Sequence, residues 1–195
     1  MKKGYLYIAL ATFFFSSMEV ALKLSAGNFN AIQLTFLRFL IGGCVLLPLA
    51  ARELKKKNQH IGRSEIAFFF LTGFICVVVS MILYQMSVIY APASVVAVLF
   101  SCNSVFVVTF AYLFLREPIH RHTVISILVS FLGMAIIINP THFTGSAIGV
   151  ICVLGAAITF ALYNVVGRTR SDRCGGITLT CGSFLCGCAE MLVLI

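Results

Sequence analysis

Four polar residues, Thr12, Ser16, Glu19 and Lys23, follow i, i+4, i+7, i+11 spacing inside an otherwise apolar stretch. At about 3.6 residues per turn this keeps all four within about 60° of one another on a helix, with Phe13, Phe14, Val20, Ala21 and Leu24 in other sectors. A Glu and a Lys turned toward lipid would cost about 2.5–3.5 kcal/mol each. The stripe is therefore expected to face a bundle interior or an aqueous cavity.

Two kinds of chemistry are open to Glu19. A buried carboxylate can bind a cation, or take up and release a proton as access to it alternates. It can equally be held in a salt bridge to Lys23, one turn away, or to Arg38 in the next apolar stretch, and such a pair needs no transport chemistry. Other polar side chains deep in apolar sequence are Ser80, Tyr84 and Gln85, then Ser101, Asn103 and Ser104, then Thr159, Tyr163 and Asn164. Each can serve as an interhelical hydrogen bond, worth about 0.6 kcal/mol, or line a solute path. The path candidates are Ser16, Glu19, Lys23, Arg38, Tyr84, Asn103, Tyr163 and Asn164. Glu190, also within apolar sequence, requires a partner.

No nucleotide loop, nucleophile–base pair or metal-ligand constellation stands in the chain, so no catalytic residue, metal or cofactor is expected. The cysteines at 181, 186 and 188 lack the His or carboxylate set of a closed metal site, Glu190 apart. Gly42-Gly43, Gly133 and Gly155-Ala156-Ala157 read as close-packing surfaces rather than phosphate loops.

The elements that must position these residues are membrane helices. Apolar residues make up 61% of the chain and charged residues 10%, against roughly 25% charged in soluble domains. Mean hydropathy is +1.06. Spans of about 20 residues are expected near 5–25, 31–50, 65–88, 92–115, 122–139, 146–167 and 176–195, an all-α polytopic membrane protein with seven helices. The opening Met1-Lys2-Lys3 and its apolar run resemble a signal peptide, but the run is too long and a second span follows at once, so an uncleaved first helix is expected.

The formal charge of +8 follows from topology. With the N-terminus cytoplasmic, the inner segments hold 12 of the 14 Lys and Arg residues, Lys23 and Arg38 being within spans. The outer loops, 26–30, 89–91 and 140–145, hold none, a positive-inside pattern that requires no nucleic-acid partner. The basic run from Arg52 to Arg63 is either a solvated loop or a contact for anionic lipid headgroups.

The stretch 4–50 recurs without a gap as 149–195, with 12 identities in 47 positions, among them Phe15/Phe160, Thr35/Thr180, Phe39/Phe184 and Gly42/Gly187. Five spans separate the two starts, so the copies insert in opposite orientations and form an inverted repeat. Residues 1–140 form a complete five-helix repeat and 141–195 the first two helices of a second, incomplete one. With equal repeats an intact second copy ends near residue 285 to 290, about 145 residues beyond the first. Glu19, Lys23 and Arg38 correspond to Asn164, Arg168 and Ser183 in the second copy.

These residues resemble the EamA family of the drug/metabolite transporter superfamily. The matching features are Phe15-Ser16-Ser17 with Val20-Ala21-Leu22-Lys23, Leu37-Arg38-Phe39, Leu115-Arg116-Glu117-Pro118, Gly133 and Ala161-Leu162-Tyr163-Asn164. Ser104 departs from the pattern, standing where such proteins often carry proline, and three helices are missing. The resemblance implies about ten helices in two five-helix repeats, and small multidrug exporters of the same superfamily use a first-helix Glu as a coupling site.

The expected function is that of a secondary carrier, not an enzyme, exporting a small organic metabolite or drug-like solute by alternating access. The alternative is a truncated, non-transporting fragment or helix-packing scaffold; a seven-helix receptor is disfavoured by the repeat. Expected partners are the lipid bilayer and a small-molecule solute. A coupling proton or cation, and a dimer or complementing chain, stay open. The expected location is the plasma membrane.

Overall fold

The computed structural model describes residues 5, 9, 12 and 13 and the stretches 31–57, 61–116, 118, 121–137 and 146–194. Every regular element among them is helical. Tyr5, Ala9, Thr12 and Phe13 are helical, while Ser16, Glu19, Lys23 and the rest of the expected first span lie outside the described residues.

Six helices match the expected spans from the second onward. They are α1 (Ala31–Lys57), α2 (Arg63–Tyr90), α3 (Ala93–Leu115), α4 (Arg121–Ile137), α5 (Ala147–Cys174) and α6 (Gly176–Leu194). All but α4, which has 17 residues, are long and apolar enough to cross a membrane, giving 5 candidate spans among the described residues. The α2–α3 boundary falls where proline places it. Ala91 is extended (φ −138°, ψ 157°) and Pro92 opens α3 (φ −58°), because a residue before proline is driven from helical geometry.

Two helices outrun their expected ends. The helix α1 continues from residue 50 to Lys57 because Arg, Glu, Leu and Lys favour helix and Lys55, Lys56 and Lys57 sit at the negative end of its dipole. The helix α5 continues to Cys174 because its polar turns find partners: Arg170 Nη1 donates to Ser64 Oγ at 3.1 Å, and its guanidinium carbon lies 5.1 Å from the Phe68 ring centre.

Directions follow from the contacts. From Phe36 against Cys188 through Phe39 against Phe184 to Gly43 against Cys181, numbering rises along α1 as it falls along α6. These two helices are antiparallel and pack extensively against each other. Helix α2 runs parallel to α6, with Thr72 against Ser183 and Val77 against Gly187. It runs antiparallel to α5, where Ser80 Oγ donates to Ala156 O at 2.9 Å and Ala91 meets Gly149. One end of the bundle thus gathers Arg52, Lys55, Lys56, Lys57, Arg63, Arg170 and Arg173.

The closest crossing is α2 on α6. A Cβ on Gly73 would lie 2.6 Å from Ser183 O and 2.7 Å from Gly187 N, a backbone approach that admits no side chain. Thr72 and Ser183 hydroxyls join beside it at 2.7 Å, both fully buried. Immediately after Gly73 the helix widens to π geometry over Phe74–Ser80, and a second π segment, Ala111–Leu115, ends α3. The expected packing role of Gly133 is corrected. A Cβ there would meet nothing within 4 Å, so that face of α4 is open among the described residues. Gly42, Gly43 and Gly155 do meet neighbours, Phe184, Leu185 and Leu83 respectively.

Candidate functional site

Of the described site candidates, Arg38 and Tyr163 border one apolar cluster, whereas Tyr84 lies in a second and Asn103 and Asn164 in neither. Arg38, partly buried, projects from the first third of α1. Its Nη2 lies 3.2 Å from Met81 Sδ on α2, and its guanidinium carbon stands 4.9 Å from the Phe39 ring centre. A polarisable sulfur and an aromatic face are contacts that suit a weakly hydrated guanidinium. Phe39 in turn meets Phe184 edge-on at 4.7 Å. The same apolar cluster holds Cys76, Met81, Tyr163 and Met191. Tyr163, buried on α5, sets its hydroxyl beside those of Thr180 and Ser183 on α6.

Aromatic rings connect this cluster to a second one. Tyr84, almost wholly buried, stacks edge-on against Phe100 at 4.7 Å, Phe100 lies 5.5 Å from Phe160, and Phe160 lies 5.9 Å from Tyr163. The chain of rings crosses α2, α3 and α5 and brings Tyr84 and Tyr163 into one continuous wall. Asn103, half-buried, opens the second half of α3 after a turn at Ser101-Cys102. Asn164 is exposed and donates from Nδ2 to Phe160 O in its own helix at 3.0 Å. Ser101 and Thr159 likewise bond within their own helices, while Ser80 joins two.

Sequence reasoning passed over Thr72, whose bond to Ser183 fastens α2 to α6 beside the glycine crossing. It also passed over Glu53, which accepts from Thr178 N at 2.9 Å and Thr178 Oγ1 at 3.0 Å. A carboxylate on the first turn of α6 satisfies an amide that the helix itself leaves unpaired and meets the positive end of its dipole. Glu53 sat in a basic run and gave no sequence sign of that role. Glu190 Oε2 is buried and has no hydrogen-bond partner among the described residues.

Two cavities lie at the basic end, away from Arg38. One, of about 460 Å³, is lined by Leu49, Arg52, Glu53, Lys56, Lys57 and Ile177. The other, of about 420 Å³ and apolar, lies among α1, α2 and α6, with Leu54, Ile61, Phe69 and Leu185 in its wall.

Long apolar helices joined by glycine crossings, with an arginine and a tyrosine–phenylalanine wall inside, define a multi-pass helical membrane protein. The EamA-like transporter family matches residues 2–139. The chain belongs to that family. It is similar to an uncharacterized transporter of Clostridium kluyveri, 36% identical over 100% of this chain and 65% of the relative. It is similar to another of Archaeoglobus fulgidus, 25% identical over 95% of this chain and 64% of the relative. The pseudopaline exporter CntI of Pseudomonas aeruginosa is 25% identical over 89% of this chain and 59% of its own length. The chain thus spans less than two thirds of each of these curated relatives. No solved structure matches it.

Proposed function

We propose that the chain is part of a secondary carrier that exports a small organic solute across the plasma membrane by alternating access between inverted repeats. One observation carries this reading. Positions related by the 145-residue offset touch reciprocally across α1 and α6: Phe39 meets its counterpart Phe184, Cys181 Sγ approaches Gly43 O at 3.5 Å, and Cys188 Sγ approaches Phe36 O at 3.7 Å. Phe36 and Gly43 are themselves the counterparts of Cys181 and Cys188. Such i-to-j and j-to-i pairing is what a two-fold axis in the membrane plane produces. It supports two five-helix halves that meet at this seam, with residues 1–140 as the first and 141–195 opening the second.

In this reading the solute path runs beside Ser16, Glu19, Lys23, Arg38, Tyr84, Asn103, Tyr163 and Asn164, and a proton or cation couples through Glu19. The basic end is cytoplasmic, as the positive-inside pattern requires, which places the N-terminus inside. Export as the direction draws on the similarity to the pseudopaline exporter of Pseudomonas aeruginosa. The test is efflux from cells expressing the complete gene product, with Glu19→Gln and Arg38→Ala introduced separately and together. Loss of efflux in a correctly inserted double variant is expected; undiminished efflux removes both residues from the mechanism.

A further inference from the structure

The groove at the α1–α6 junction is not absorbed by transport. On α1, Ile41, Val45, Leu49, Arg52 and Lys56 follow helical spacing along one face. The first three are exposed aliphatics, 61%, 64% and 45% accessible, and the last two are exposed cations. Lys57 adds a third cation, and Ile177 at the start of α6 completes the apolar floor. The face turns from hydrocarbon-compatible to cationic within two turns. From Leu49 to Lys56 is about 10 Å along the axis, comparable with the headgroup layer of one leaflet, about 5–8 Å.

The single carboxylate in this groove offsets only part of its positive charge. Glu53 bonds to the α6 amide and the Thr178 hydroxyl, and against its single charge the groove lining carries three cations, Arg52, Lys56 and Lys57. Three cations beside a cavity of about 460 Å³, above a strip of exposed Ile, Val and Leu, complement a molecule that is anionic at one end and aliphatic at the other. The geometry points to a binding site for an anionic phospholipid: the phosphate on Arg52, Lys56 and Lys57, one acyl chain along Leu49, Val45 and Ile41. The aliphatic strip distinguishes this from a phosphate-ion site, which would need only the cations.

Native mass spectrometry of the full chain in neutral detergent tests it, with phosphatidylglycerol, phosphatidylcholine and glycerol 3-phosphate as probes. Phosphatidylglycerol is expected to be retained over the other two. Arg52→Gln, Lys56→Gln and Lys57→Gln together should weaken that retention by roughly tenfold or more, since each cation near an anionic surface contributes appreciably. Arg52→Lys, Lys56→Arg and Lys57→Arg together should preserve it. The charge-matched triple Lys55→Gln, Arg63→Gln and Arg121→Gln should bind as the parent chain does. Equal retention of phosphatidylcholine, equal loss in both neutral triples, or equally tight binding of glycerol 3-phosphate overturns the site. Should the first triple fail to fold, Lys56→Gln with Lys57→Gln replaces it, and unchanged retention there also overturns it.

Discussion

Arg116 ends α3 in the left-handed region, at φ 55° and ψ 31°, and is the one non-glycine residue with positive φ among those described. That conformation costs about 1–2 kcal/mol for a residue with a Cβ, while glycine there loses about 0.4–1 kcal/mol through a freer unfolded chain. Arg116→Gly should therefore leave stability unchanged or raise it by up to about 1 kcal/mol, read from thermal unfolding in detergent; a fall of that size would contradict the turn geometry. Cys174, just past the membrane-spanning part of α5, offers a chemical test. Burial pushes its thiol up from the ordinary value, the Glu65 carboxylate adds to this, and Arg170, Lys57 and Arg173 oppose it. Since the thiolate is the nucleophile, a chain retaining only this cysteine should react with maleimide more slowly than a free thiol at neutral pH, the deficit closing as pH rises. Equal rates at neutral pH would show the site open. The polar candidates themselves were legible as residue types. Which ones join helices was not, because Ser80 and Thr159 look alike in sequence and differ only in what the neighbouring helix presents.

At the scale of helices, the two glycines Gly73 and Gly133 set opposite expectations. Gly73→Ala drives a Cβ against backbone atoms of α6 that cannot yield and should cost about 1–3 kcal/mol. Gly133→Ala meets open space and should gain up to about 1 kcal/mol from helix propensity. Parallel unfolding measurements that reversed this order would refute the α2–α6 crossing. Glu53→Ala leaves the first turn of α6 without its partner and should cost about 1 kcal/mol, as loss of a capping side chain does; no change would mean that water replaces it. Apolar runs and prolines made the six described helices readable to within a few residues at most boundaries. The extensions of α1 and α5 escaped because arginine and lysine end a hydropathy window without ending a helix. The first π segment, Phe74–Ser80, escaped because it follows directly on the glycine crossing where Thr72 and Ser183 bond, a tertiary circumstance with no local pattern; nothing in the structure explains the second, Ala111–Leu115.

For the whole molecule, membership of the EamA-like transporter family and the apolar helices agree on a multi-pass membrane protein. The proposed repeat rests on a 145-residue offset without a gap; in support of it, Phe39 meets its counterpart Phe184, and the contacts of Gly43 with Cys181 and of Phe36 with Cys188 exchange counterparts between α1 and α6. Glu190, on α6, has a buried oxygen with no hydrogen-bond partner among the described residues. An unmet polar group costs about 1–3 kcal/mol, so Glu190→Gln in the 195-residue chain should not destabilise it, and a marked loss would reveal a partner. The proposed export calls for an untargeted comparison of extracellular small molecules, using cells that express the complete gene product, its Arg38→Ala variant or an empty vector. At least one small organic solute is predicted to accumulate outside only with the parent protein; identical profiles in all three, with the protein inserted in the membrane, would contradict the claim.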